Sequence, residues 1–490
     1  MTISFRIMGV FLLGGLLVSA CNPSGSEVSA TLSITQSLTA DNTPTALPTR
    51  EKYPPGQLVD YIVQSGDTLP ALAAHFNTTE AEIRSANPTI PDPVTTLPPG
   101  FPMKIPIYYQ SLWGSPNHIF PDNAFVYGPA GIGFDLRAFV NSQPGWLKTY
   151  SDYVVGETRD GAGIIDYVSK NYSISAKLLL ILVEYQDHAL SQPAPVPITD
   201  SPMGFHDPYQ TTLYAQLILT ANALNNGYYG WRTGRLHSFS REDGTVEFPD
   251  PWQNAGTVGI QYFFTQTLDA NTYQEATLGG KFLKLYTQYF GDPWQDIEPQ
   301  IPGSLQQPTL VFPFTPGTTW VMTGGPHTGW GSGDPLAALD FAPPLDQTGG
   351  GCQPTDLYAL AMADGVIVRK ETGVAVLDLD KDGDERTGWD ILYLHLTTSD
   401  IPPVGTFLKK GDKIGRPSCE GGEKTGTHIH IARKYNGEWI AADSALPFNI
   451  EGWIPHNGAF AYLGTLTRAG HVVVACTCSD SKSQITAGLP

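Results

Sequence analysis

The chain has 490 residues, too many for a single core, and its length suits roughly three domains. Asp and Glu number 47 against 28 Lys and Arg, a net charge of −19, which argues against a nucleic-acid partner and against charge-driven docking on anionic lipid. With 51 Gly and 41 Pro the chain should be turn-rich and β-containing, and its ten Trp and 22 Tyr suit stacking on sugars as well as core packing.

Residues 1–20 read as a processing signal. "MTISFRIMGVFLLGGLLVSAC" has one Arg, an apolar run too short for a permanent span, and small residues before Cys21. "VSAC" resembles the lipobox of bacterial lipoproteins. That resemblance implies export, cleavage before Cys21 and a lipid on its thiol. The chain would then sit in the cell envelope, touching the outer face of the cytoplasmic membrane only through that anchor. An ordinary secretory signal is the other reading. Residues 21–57 are rich in Ser, Thr and Pro, cannot bury enough surface to fold, and read as a disordered tether.

Residues 58–108 form a small unit. "YIVQSGDTLPALAAHFN" starts as a strand, turns at Ser65-Gly66-Asp67 and continues as a helix with Leu69, Leu72, Ala73 and Phe76 on one stripe. Thr78 or Thr79 caps a second helix, and "LPPGFPMKIPI" returns as a strand. Tyr61, Val63, Gly66, Asp67, Thr68, Leu69, Ile83, Asn87, Leu97, Gly100 and Ile105 match the pattern of a LysM domain, which this unit resembles over its whole length. The resemblance implies a βααβ fold and peptidoglycan as partner. It places glycan binding at Gly66, Asp67, Thr68, Leu69 and Asn87. Pro88, Pro91 and Pro93 lengthen the second loop.

Residues 109–306 read as a mostly helical domain, with long periodic segments such as "AKLLLILVEYQDHAL" and "TTLYAQLILTANALNNGYYGW". "AKLLLILVEYQ" resembles the first core helix of lysozyme-like transglycosylases. That resemblance would make Glu184 an acid for glycan cleavage. The family follows this Glu with Ser, whereas Tyr185 stands here. A solvated Glu is the plainer reading.

From residue 307 to 465 the grammar changes to short strands between Gly and Pro turns, an antiparallel all-β domain, with a tail at 466–490. In "THIHIA" the period of two sends His428 and His430 to one face and Ile429 and Ile431 to the other. Alternation in "DILYLHL" puts Leu392, Leu394 and Leu396 on the core side and His395 on the opposite face. "GGPHTGWGSGDPLAALDFA" adds His327 and Asp340. A catalytic zinc needs three N or O ligands and an open position. These segments, in this order, resemble the lysostaphin-type and β-lytic zinc endopeptidases. The long spacing from His327 to Asp340 is similar to that of the β-lytic branch. The resemblance implies zinc on His327, Asp340 and His430, with His395 and His428 beside the reacting carbonyl.

"DLDKDGDERTGWD" carries Asp378, Asp380, Asp382 and Asp384 at the spacing that opens a calcium loop, but Trp389 stands where the twelfth-position Glu would be. A calcium-binding hairpin and a solvated acidic turn both remain open. Among the cysteines, Cys352 and Cys419 lie in loops of one domain and are the expected disulfide. Cys476 and Cys478 could close a small ring, pair elsewhere or stay free. The whole reads as a multidomain α+β protein: an exported, peptidoglycan-binding zinc metalloendopeptidase. The alternatives are an inactive envelope protein on the same fold and a bifunctional hydrolase that also cuts glycan through Glu184.

Overall fold

The computed structural model describes residues 52–110, 112–193, 201–241, 243–295, 297–344, 351–422, 425–478 and 480–488. Cys21, the signal segment and most of the tether lie outside the described residues.

In the first unit, strands Gln57–Ile62 and Pro102–Ile107 pair antiparallel, with Tyr61 opposite Met103. Helices Leu69–His75 and Glu80–Ala86 lie between them in sequence. The Thr68 hydroxyl accepts from Ala71 N and starts the first helix. Thr79 and Glu82 form a reciprocal capping box at the second. Leu69, Leu72, Ala73 and Phe76 enter one core with Ile83 and Ile105.

The middle region is built on helices Gly161–Tyr172, Ala176–Asp187, Leu213–Arg232, Ala255–Thr265 and Lys281–Phe290. Residues 178–184 are buried without interruption, as expected for a helix apolar on all sides. Leu213–Arg232 and Ala255–Thr265 approach closely at Gly227. A Cβ there would stand 2.8 Å from Gly259 Cα, so the crossing needs glycine.

A nine-stranded antiparallel sheet follows. Its strands run in the order Phe407–Leu408, Gly365–Glu371, Val374–Asp378, Trp389–Leu394, Ile429–Tyr435, Leu336–Ala342, Thr319–Thr328 and Gln484–Thr486, with Glu438–Trp439 paired to Ile429–Tyr435. The last strand corrects the expected tail: Gln484–Thr486 closes the sheet edge beside Thr319–Thr328, and Ile485 and Ala487 are core residues. One sheet face holds Leu339, Phe341, Ala375, Leu377, Ile391, Tyr393, Ile429 and Ile431 in the domain's own core. On the opposite face, Ala338, Val374, Val376, Leu392, Leu394 and Ala432 are packed into the helical core. The sheet is therefore buried on both sides.

The three regions meet at Arg232, the last residue of its helix. The guanidinium bonds Ser65 O of the first unit, Asp122 (3.0 Å) of the middle region and Glu438 (2.9 Å) of the sheet. A cavity of ≈ 310 Å³ opens at this junction, lined by Thr68, Thr96, Arg232, Leu305, Trp439 and Leu446 among others.

Most of the side chains expected to bind glycan are committed inside the protein. Leu69 is core, and Asp67 accepts from Tyr61 Oη and Gln64 N at 2.7 Å each. Asn87 bridges Ile83 O (2.7 Å) and Lys104 N (2.9 Å). Gly66 lies against Arg232, where a Cβ would stand 2.7 Å from the guanidinium. Asp67, Leu69 and Asn87 build the two loops from inside rather than offering side chains outward.

Candidate metal centre

His430 stands opposite Asp340 across the Ile429–Tyr435 and Leu336–Ala342 pair, so both side chains share a face. Ile429 and Ile431 point into the core, as alternation requires. His327 arrives by a different device. Gly324 pairs with Asp340 and His327 with Ala338, three residues against two, and this bulge turns His327 onto the ligand face. The glycines of "GGPH" make room for it. A Cβ on Gly324 would stand 2.5 Å from an Asp340 oxygen, and one on Gly325 2.6 Å from Leu463 O. Gly324→Ala is expected to displace the carboxylate and reduce zinc occupancy about tenfold or more, measured by metal analysis after dialysis.

The three donor atoms converge. His327 Nε2 lies 3.0 Å from His430 Nδ1 and 3.2 Å from Asp340 Oδ1, and His430 Nδ1 lies 3.3 Å from that same oxygen. Tetrahedral zinc holds N and O ligands at about 2.0–2.1 Å, which separates ligand atoms by about 3.3 Å. The far side of each ring is tied: His327 Nδ1–H donates to Gly325 O at 2.8 Å and His430 Nε2–H to Gly329 O at 3.1 Å. These bonds select tautomers whose lone pairs face the centre. Asp340 Oδ1 is buried and accepts no hydrogen bond. Burial pushes the Asp340 carboxyl up, but His327, His430 and His428 outweigh it and hold the group well below the usual carboxylate range. Burial, and after it His327, holds His430 below the ordinary histidine value against the pull of Asp340. A buried carboxylate with two imidazole lone pairs aimed beside it fits a zinc ion.

Two more rings stand next to the trio. His428 Nδ1–H donates to Gly426 O at 2.8 Å, and its Nε2 lies 3.8 Å from Asp340 Oδ2. His395 lies with its ring centroid 4.5 Å from that of His428. Its route differs from the expected alternation. Leu392 and Leu394 share the ligand face, Leu394 opposite His430, while Tyr393 is in the core. His395 follows the strand end with φ 67°, and this left-handed turn brings its ring back to the ligand side. There Nδ1–H donates to Glu420 O at 3.1 Å. Burial, then His428 and His430, pushes His395 down to about 3, so this ring is neutral near pH 7.

Loop contacts that the sequence did not reveal hold these rings. Tyr462 stacks on His327 with centroids 4.1 Å apart. The carbonyls of Gly325, Gly329, Glu420 and Gly426 set the four rings. Cys352 and Cys419 are bonded, as expected, with Cα atoms 5.8 Å apart. That bridge joins the loop bearing Glu420 to the Gly351–Gln353 segment, which pairs with Thr427 beside His428. Cys476 and Cys478 bond to each other.

The structure takes Glu184 out of the candidate list. It is buried, its Oε2 accepts from Leu190 N (2.7 Å) and Ser191 N (3.1 Å), and its Oε1 accepts from Tyr289 Oη (3.2 Å). The carboxylate holds the turn that follows its helix. Glu184→Gln is expected to lower unfolding free energy by about 1–2 kcal/mol in urea titration, with no change in reducing ends released from peptidoglycan. Asp384 also leaves its proposed set, because Arg386 holds both carboxylate oxygens at 2.7 and 2.6 Å.

Parts of the chain are similar to known proteins. The LysM domain family matches residues 61–106, and the family described as the LasA N-terminal domain matches residues 118–304. Protease LasA of Pseudomonas aeruginosa is 24% identical over 347 residues, 66% of this chain and 75% of that protein. The beta-lytic metalloendopeptidase of Lysobacter enzymogenes is 28% identical over 137 residues, 26% of this chain and 71% of that protein. Among solved structures, the M23 metalloprotease pseudoalterin, from the deep sea, is 24% identical, with 34% of this chain and 96% of that one aligned at a TM-score of 0.29. The chain is thus a LysM-bearing homologue of protease LasA and the β-lytic metalloendopeptidases.

Proposed function

We propose that this chain is a zinc metalloendopeptidase that hydrolyses peptide bonds in the stems or cross-bridges of peptidoglycan, kept near its substrate by the LysM domain. The observation that carries the reading is the trio of donor atoms 3.0–3.3 Å apart, each ring tied from behind. His327 Nε2, His430 Nδ1 and the Asp340 carboxylate would hold the ion. When bound, zinc lowers the pKa of its water to about 7 and polarises a carbonyl oxygen. His395 and His428 act beside it. Each donates Nδ1–H to a backbone carbonyl, which leaves Nε2 as a proton acceptor in the neutral ring. One takes the proton of the attacking water. The Nε2–H so formed faces the developing oxyanion, and the proton is then returned to the leaving amine.

No helix among the described residues is long and apolar enough to cross a membrane. The Cys21 motif supports export and anchoring through a single lipidated thiol, and metabolic labelling with a radioactive fatty acid, lost in Cys21→Ser, tests it. For the activity, purified peptidoglycan is incubated with the zinc-loaded chain. New amino groups should appear, at peptide ends identified by mass spectrometry, while reducing ends stay constant. Zinc bound at one per chain without any new amine would favour a wall-binding protein on a peptidase fold.

A further inference from the structure

The acidic hairpin between strands Val374–Asp378 and Trp389–Leu394 has no part in this chemistry. Carboxylate oxygens of Asp378, Asp380 and Asp382 lie within 4.8 Å of one another. Asp378 is fully buried, and the turn wraps it: its oxygens accept from the backbone N–H of Asp380 (3.0 Å), Lys381 (2.9 Å) and Gly383 (2.9 Å). Taken alone, this is an acidic turn. The independent observation lies behind it. Asp390 is directly opposite Asp378 in the antiparallel pair and is 0% exposed, and both its carboxylate oxygens lack a hydrogen-bond partner. Directly opposed residues share a sheet face, and burial, then Glu385, Asp378 and Asp380, push the Asp390 carboxyl up against the pull of Lys434.

Two cations near the hairpin turn away from it: Arg386 is held by Asp384, and Lys381 Nζ lies 5.8 Å over the Phe407 ring. Lys434 stands opposite Asp390 on the other neighbouring strand, but its Nζ donates to Lys170 O at 3.2 Å rather than to the carboxylate. Burial, followed by Asp378 and Asp382, pushes Asp380 up to about 7. Asp378, Asp380 and Asp382 make no ion pair among the described residues, and carboxylates this close repel one another unless something positive joins them.

We infer that the hairpin binds one calcium ion through Asp378, Asp380 and Asp382, with Asp390 as the buried countercharge behind them. Oxygen-only donors select a hard cation over zinc, and Ca²⁺ accepts six to eight oxygens in irregular geometry where Mg²⁺ demands a near-ideal octahedron. Two glycines permit the turn. Gly383 has φ 89°, and Gly388, at φ 60°, passes so close to the Asp380 carboxylate that a Cβ would collide with it. Strand Trp389–Leu394 runs from this hairpin to His395, so the ion sits at the opposite end from the peptidase centre. Its role is structural. It pins two central strands and, through Arg386 donating to Gly131 O at 3.1 Å, the helical region above them.

The test uses the full zinc-loaded chain. After dialysis against micromolar free calcium, elemental analysis should find one calcium per wild-type chain. A hundredfold excess over the dissociation constant should raise the thermal midpoint by about 4 °C. Both responses should vanish in Asp380→Asn and Asp382→Asn, whose side chains are exposed, and persist in Asp384→Asn. Zinc content should be unchanged in all three, which separates this site from the peptidase centre. The inference is overturned if wild type retains no calcium, if Asp380→Asn retains as much as wild type, or if sodium chloride or magnesium at equal ionic strength gives the same shift.

Discussion

Asp340→Asn is expected to keep the fold and lose the metal. The side chain is isosteric and neutral, and it removes the one negative charge between His327 and His430. Peptide release from purified peptidoglycan should fall by more than about a thousandfold, which corresponds to about 4 kcal/mol of transition-state stabilisation. Zinc should drop below about a tenth of an ion per chain, as expected when a first ligand of a three-ligand site is lost. Circular dichroism and the thermal midpoint of the metal-free forms should agree between variant and wild type. His430→Ala should lose zinc in the same way. If Asp340→Asn binds zinc as wild type does and still cleaves, the carboxylate is not a ligand and the centre has been misassigned.

Arg232→Met should be the most destabilising single change outside the metal centre. The guanidinium is the cation between Asp122 and Glu438, and it also bonds Tyr228 Oη at 2.7 Å and Ser65 O. Removing it leaves buried carboxylates unpaired, a loss of about 3–5 kcal/mol. The loss should depend on pH in a fixed direction. Burial holds Glu438 above its ordinary 4.5 even with Arg232 nearby, and without Arg232 it rises further. The folded variant therefore binds more protons than the unfolded chain above pH 4.5. Its stability falls as pH rises through that window. The deficit should be small below pH 4.5 and largest near neutrality, read from urea midpoints across pH 4 to 8. Glu438→Gln added to Arg232→Met should recover part of it.

Much of the centre was legible in the residues. A strand's period of two sends His428 and His430 to one face, but the doublet alone left a wetted sheet face as open as a shared site. The ligand trio came from resemblance, and bulge geometry explains why "GGPH" precedes it. Other features depend on what no local pattern carries. His395 reached its place through a positive φ rather than through alternation, which had assigned Leu392 and Leu394 to the wrong side. Glu184 looked available because its partners, Leu190 and Ser191, belong to a turn beyond the helix. The inward commitment of Asp67 and Asn87, and the packing of Gly66 on Arg232, follow from internal hydrogen bonds and from contacts between regions more than a hundred residues apart.

Sealing both sides of the sheet also limits the direction of approach. Leu394 and Val374, in the same row as His430, and Ala432, Ala338 and Leu392 in the next row are closed off by helices. A polypeptide cannot lie flat along that oily wall while the helices stay docked. The scissile linkage must come in from the rim, past His428, His395 and Tyr462. Discrimination among wall peptides is then written into the rim loops, and exchanging those loops is the way to redirect it.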